Sequence, residues 1–153
     1  MMSENRARGL VLAIDDEPAV LAEVASVLGM AGYCCVTAAN GADALALALK
    51  LRPDLIISDI NLAGESGLDL CEQIQDQPAL SEIPVVFLSG AQIPDVVRAA
   101  HAAGGTYYLR KPFDGGVLEE IVEKALWMPQ LVRDRVQALA PKGRTLRNLA
   151  SHS

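Results

Sequence analysis

Along the chain, short runs of apolar residues alternate with longer stretches whose apolar positions recur every three or four residues, and the alternation repeats five times before the pattern changes near residue 128. The runs cover residues 10–14, 33–37, 54–58, 85–88 and 106–110. Most are unbroken apolar stretches, which is how a strand reads when helices cover both of its faces. Each is followed by a polar or glycine-rich turn. Strands alternating with helical stretches predict a parallel α/β sheet, because parallel neighbours need a long crossover connection.

The intervening stretches predict five helices. The first opens at Pro18, whose missing N–H is harmless in a first turn, buries Val20, Leu21, Val24, Val27 and Leu28, and stops at Gly32. The second, residues 42–51, is nearly all Ala and Leu and ends before Arg52-Pro53, since the residue ahead of a proline disfavours helical angles. The third, residues 67–77, sets Leu68, Cys71 and Ile74 in register and ends at Pro78. The fourth, residues 94–103, is built from small residues and includes His101, expected to be exposed and inert. The fifth presents Val117, Leu118, Ile121, Val122, Ala125 and Leu126 as one buried face. Right-handed crossovers then place helices on both faces of a five-stranded sheet, a doubly wound α/β fold.

Composition bounds this picture without changing it. At 153 residues and 51% hydrophobic, the chain suits one domain, residues 9–127, with a short C-terminal extension, residues 128–153. In the extension, residues 131–140 carry Val132, Val136 and Leu139 at helical spacing up to Pro141, and the remainder is expected to be disordered. Charge divides at the same place. Residues 1–129 hold 8 basic and 18 acidic side chains, a net −10, whereas residues 130–153 hold 5 basic and 1 acidic, a net +4. An acidic body argues against nucleic-acid binding through the domain, because phosphate contacts need clustered Lys and Arg. No apolar stretch approaches a membrane span and none near the N-terminus resembles a secretory core, so a cytoplasmic setting is expected. Cys34 and Cys35 would face opposite sides of a strand, where they could not easily bridge. With Cys71 and Trp127 they are expected to be packing residues.

Candidate chemistry collects where the strands end. Such sheets bind ligands at the carboxyl ends of their strands, beside the point where the strand order reverses. There the chain carries Asp15-Asp16-Glu17, then Ser58-Asp59-Ile60-Asn61, then Ser89-Gly90, then Arg110-Lys111-Pro112. Each group alone reads blandly: Asp15 and Asp16 as helix caps, Asp59 as a solvated strand end, Lys111-Pro112 as a turn. Together they place carboxylates, a hydroxyl and an ammonium around one point. Carboxylates in such number repel one another, so they either neutralise by raised pKa or hold a cation, and hard oxygen donors suit Mg²⁺. A cation and a lysine together offset the charge that develops on phosphoryl oxygens during transfer, and a carboxylate can serve as the nucleophile.

With these residues in this order, residues 9–127 resemble the receiver domains of two-component response regulators, whose sheet is flavodoxin-like. The resemblance rests on Asp15-Asp16, on Pro53-Asp54-Leu55-Ile56-Ile57-Ser58-Asp59, on Ser89-Gly90 and on Lys111-Pro112-Phe113. It implies that Asp15, Asp16, Asp59 and the backbone carbonyl of Asn61 hold Mg²⁺, and that Asp59 accepts a phosphoryl group from a histidine kinase or phosphotransfer protein. It implies that Lys111 and Ser89 contact that group, that Lys111-Pro112 is cis, and that Ser89 and Tyr108 form the conformational relay. Strand alternation turns the neighbouring Tyr107 to the other face. The implied output is a switch in binding to a downstream protein; the family also admits a phosphorylation-dependent homodimer.

Many receivers carry Met-Pro soon after the acceptor, whereas this chain reads Asn61-Leu62-Ala63-Gly64-Glu65-Ser66-Gly67, a loop expected to be more mobile for lack of the proline. Gly90 and Ala91 leave the acceptor open, and Asn61 and Ala91 occupy positions that tune phosphoryl lifetime in the family. The leading expectation is a single-domain receiver that catalyses only its own phosphorylation and dephosphorylation. Two alternatives stand beside it. A Mg²⁺-dependent phosphohydrolase of the haloacid-dehalogenase type would need a second Asp two residues after the first-strand nucleophile, a spacing Asp15-Asp16-Glu17 lacks. A never-phosphorylated interaction module would leave the assembled chemical residues without a use.

Overall fold

The unbroken apolar runs fold as the inner strands of one sheet. The computed structural model describes residues 8–90 and 106–139, with side chains described as far as residue 127. In chain order the elements are β1 (Leu10–Ile14), α1 (Pro18–Met30), β2 (Cys34–Ala38), α2 (Gly41–Leu51), β3 (Leu55–Asp59), β4 (Asn61–Leu62), β5 (Glu65–Ser66), α3 (Gly67–Gln75), a 3-10 turn at Pro78–Leu80, β6 (Val85–Ser89), β7 (Tyr107–Arg110) and α4 (Gly115–Leu139). Five strands pair in the order β2-β1-β3-β6-β7, every pair parallel. All residues of the inner strands β3 and β6 are buried, while the edge strands β2 and β7 are half-covered. Burial on both faces is therefore why the inner runs lack alternation.

Two apolar layers sandwich the sheet. On one face Val11, Ala13, Leu55, Ile57, Val86 and Leu88 meet Val24 and Leu28 of α1 and Leu118, Val122 and Ala125 of α4. On the other face Leu12, Ile14, Ile56, Val85 and Phe87 meet Ala44 and Ala48 of α2 and Leu70, Cys71 and Ile74 of α3. The small alanines let α2 approach closely, and Asn40 caps that helix by accepting the Asp43 N–H at 2.9 Å. Ser66 caps α3 in the same manner through the Asp69 N–H. Arg8 ties the chain entry to the body: it donates to the Ala31 carbonyl, pairs with Glu123 at 3.1 Å and lies 4.9 Å from the Tyr33 ring centre.

The structure departs from the sequence reading in several places. Helix α4 runs unbroken through Pro129 to Leu139, where two helices separated near residue 128 were expected. A mid-helix proline loses one hydrogen bond and costs about 3 kcal/mol. Here the turns before it are held by packing on the sheet, and the residues after it are good helix formers. Trp127 is 62% exposed and so is not a packing residue: the face that buries Leu118, Val122 and Ala125 turns it outward. Cys34 is likewise exposed, at the start of an edge strand, whereas Cys35 is half-buried and Cys71 buried, and all three are free. Strand β2 begins at Cys34, one residue after the expected start. The loop after Asp59 pairs as an antiparallel hairpin, Asn61 with Ser66 and Leu62 with Glu65, a structure the sequence reading did not expect. Gly64 supplies the positive φ of 79° that its two-residue turn demands. The expected helix at residues 94–103, His101 and residues 140–153 lie outside the described residues.

Candidate functional site

The sheet order reverses between β1 and β3, and these two strands deliver the acidic residues. Asp15 follows β1 directly and Asp59 closes β3, so both carboxylates arrive at the carboxyl edge where a doubly wound sheet leaves a crevice. Asp15 is 1% exposed and Asp59 is 7% exposed, whereas Asp16 faces solvent. One ligand oxygen from each of the three lies within 4.8 Å of the others. The cap of α1 is Glu17, without a side-chain bond, so Asp15 and Asp16 are not the helix caps that the sequence alone would allow. Asp15 Oδ1 instead accepts the Glu17 N–H at 2.9 Å, ahead of the helix.

Lys111 completes the cluster from the loop after β7. The Lys111 N–H donates to the Ser89 carbonyl at 2.7 Å, and the Lys111–Pro112 peptide bond is cis. The ammonium lies 3.0 Å from Asp15 Oδ2, 3.1 Å from Asp59 Oδ2 and 3.5 Å from Glu17 Oε1. Burial opposes the lysine charge, but the hydrogen bonds and fields of Asp15 and Asp59 outweigh it and hold the ammonium protonated well above the usual lysine range. Burial pushes the Asp15 carboxyl up, against the Glu17 N–H and Lys111, which pull it down.

These carboxylates fit a hard divalent cation. Asp15, Asp16 and Asp59 set against one ammonium leave two negative charges uncompensated, the charge such an ion carries. Asp15 Oδ2 is buried, and its one partner is the Lys111 ammonium at 3.0 Å. Three carboxylate oxygens gathered at one point are the hard donors such an ion takes.

The other expected residues lie at the same edge or just behind it. Ser89 ends β6 one position past Leu88, the register partner of Asp59, and is 5% exposed. Tyr108 packs toward the α2–α3 layer, its ring stacked 5.7 Å from Phe87, while Tyr107 contacts the opposite layer. The Asn61 N–H donates to Asp59 Oδ1 at 3.1 Å. Two neighbours were not singled out as site residues. Glu17 was legible as the third acid of a run, but its approach to Lys111 needed the fold. Gly67 sits where a methyl group would overlap the Asp59 carbonyl oxygen and come within 2.9 Å of its carbon, so α3 can start against the acceptor only from a glycine. No local pattern marks that closeness.

A family model of the response regulator receiver domain matches residues 11–123. The chain belongs to that family. Among similar proteins, the DNA-binding transcriptional regulator NtrC of Escherichia coli strain K12 is 33% identical over 119 residues, 78% of this chain and 25% of that protein. The regulator RpaA of Synechocystis is 34% identical over 144 residues, 94% of this chain and 54% of that protein. The chain thus spans from a quarter to about half the length of these relatives. The chemotaxis protein CheY4 of Vibrio cholerae matches in structure with a TM-score of 0.72 at 34% identity, over 78% of this chain and all of that one. The doubly wound, flavodoxin-like architecture is the one these neighbours share. Among the described residues no helix is long and apolar enough to cross a membrane.

Proposed function

We propose that this receiver domain takes a phosphoryl group onto Asp59 from the phosphohistidine of a histidine kinase or phosphotransfer protein. The observation that carries the reading is the lysine bridging two buried carboxylates, Asp15 and Asp59, at the edge where Asp16 brings a third. An Asp59 oxygen forms the new bond to phosphorus as the phosphorus–nitrogen bond to the imidazole breaks, and the departing ring keeps that electron pair. Asp15, Asp16, Asp59 and the Asn61 carbonyl would hold Mg²⁺, which when bound offsets charge on the phosphoryl oxygens. Lys111 supplies the other countercharge and Ser89 a hydroxyl donor. Binding of a phosphoryl group at the Ser89 end of β6 biases the Phe87–Tyr108 stack, and a downstream protein that prefers one arrangement reads the state.

The domain acts on itself rather than turning over a substrate. We place it in the cytoplasm, where kinase and phosphodonor meet, and read residues 9–127 as the receiver and the rest as an extension; the single-domain form is part of the same proposal. Incubation with Mg²⁺ and a small phosphoryl donor is expected to add one acid-stable phosphate to the chain. No mass gain, or a gain that survives Asp59→Asn, refutes the reading, and multiple-turnover hydrolysis of organic phosphates would favour a phosphohydrolase.

A further inference from the structure

Among the described residues three carboxylates surround the Lys111 ammonium, and they are not alike. Asp15 and Asp59 lie 3.0 and 3.1 Å from it with side chains 1% and 10% exposed, whereas Glu17 lies 3.5 Å away with a side chain 62% exposed. The backbone of Glu17 is held from both sides. Its N–H donates to Asp15 Oδ1 at 2.9 Å, and its carbonyl accepts the Val20 and Leu21 N–H groups. Its side chain caps nothing on α1, so the carboxylate is left at the rim of the site, beside the lysine and open to water. Counted with Asp15, Asp16 and Asp59 against one ammonium, it leaves three negative charges uncompensated. A divalent cation offsets two of them. The charge that remains faces whatever brings the phosphoryl group.

We propose that Glu17 is a specificity-determining residue: its carboxylate, exposed beside Lys111, disfavours a phosphoryl donor for each negative charge the donor carries. The class it favours is a donor whose leaving group bears a positive charge, a protonated imidazole or an ammonium, over a small acyl phosphate. The inference rests on Asp59 as phosphoacceptor. Lys111 draws in any phosphoryl group, whereas a fixed anion at the rim grades donors by their total charge. Such a field acts through solvent, so it is modest and screened by salt.

Acetyl phosphate, a dianion at neutral pH, and phosphoramidate, whose ammonium leaves it a monoanion, test the grading on the full chain with Mg²⁺. With either, an Asp59 oxygen bonds to phosphorus as the bond to the leaving group breaks, and acetate or ammonia departs with the electron pair. Glu17→Gln should raise the initial rate with acetyl phosphate about two- to fivefold more than the rate with phosphoramidate, the range for one charge in an exposed pair. Glu17→Asp, which keeps the charge, should return the ratio of the two rates toward wild type. In about 1 M salt, where the Debye length falls to about 3 Å, the gap between Glu17→Gln and wild type should narrow. A merely structural change moves both donors alike and ignores salt. Equal acceleration of both donors by Glu17→Gln, or a gap indifferent to salt, therefore overturns the inference and leaves Asp59 as the acceptor. Should the wild-type chain take phosphate from neither donor, the phosphoacceptor reading fails and the inference falls with it.

Discussion

Replacing Lys111 with methionine keeps most of the volume of the side chain and removes its charge. The lysine side chain is 15% exposed, and its ammonium sits 3.0 and 3.1 Å from carboxylates of Asp15 and Asp59 whose side chains are 1% and 10% exposed. At an effective dielectric of about 20, each contact is worth about 5 kcal/mol before desolvation is charged against it. Removing one partner of such a buried pair costs about 3–5 kcal/mol. The residual exposure of the lysine points to the lower end, about 3 kcal/mol at neutral pH. The deficit should shrink as pH falls into the range where Asp15, its carboxyl pushed up by burial, takes up a proton and no longer needs a countercharge. It should also shrink with Mg²⁺, because carboxylates that have lost the lysine bind the cation more tightly than those of the wild type and so gain more from a given concentration. The intact protein should behave differently at the alkaline end. Its lysine is held protonated above the ordinary 10.5, so that stabilisation is complete below this value and is lost as pH rises through the higher folded value. Urea unfolding of both proteins at several pH values, with and without Mg²⁺, measures all of this. An undiminished midpoint for Lys111→Met at pH 7 without metal, or a deficit indifferent to acid and Mg²⁺, would show that the carboxylates are not held by the lysine.

Two further outcomes follow from the same site. Asp15→Asn should raise the metal-free thermal midpoint and reduce its Mg²⁺-dependent rise; the Asp15 carboxyl is held above 3.8 mainly by burial, so folded stability falls as pH rises through that higher range, and the asparagine variant should lack the fall in a calorimetric pH series. Gly67→Ala places a methyl into the backbone of Asp59, which cannot move aside as a side chain would, and should cost about 1–3 kcal/mol together with most phosphate uptake, as read by denaturation and mass spectrometry.

Local pattern carried the inner strands, the helices that pack on them and the set Asp15, Asp16, Asp59, Ser89 and Lys111. Strands buried on both faces write unbroken apolar runs, and the chemistry sits at the end of each run where the chain must turn. The reach of the pattern stops where a residue's environment comes from distant segments. Trp127 looked like packing because it adjoins a buried face, and only the angular position of that face on α4 exposes it. The change of pattern near residue 128 looked like a break between two helices, although one helix runs through Pro129 to Leu139. The loop after Asp59 looked free for want of a proline, whereas it pairs as a hairpin with Leu62 buried in the core. Periodicity and turn chemistry are local free energies that one chain displays in order. The closeness of Gly67 to Asp59, of Glu65 to Gly41 and of Glu17 to Lys111 is decided by how the layers stack, and no single stretch of sequence encodes it.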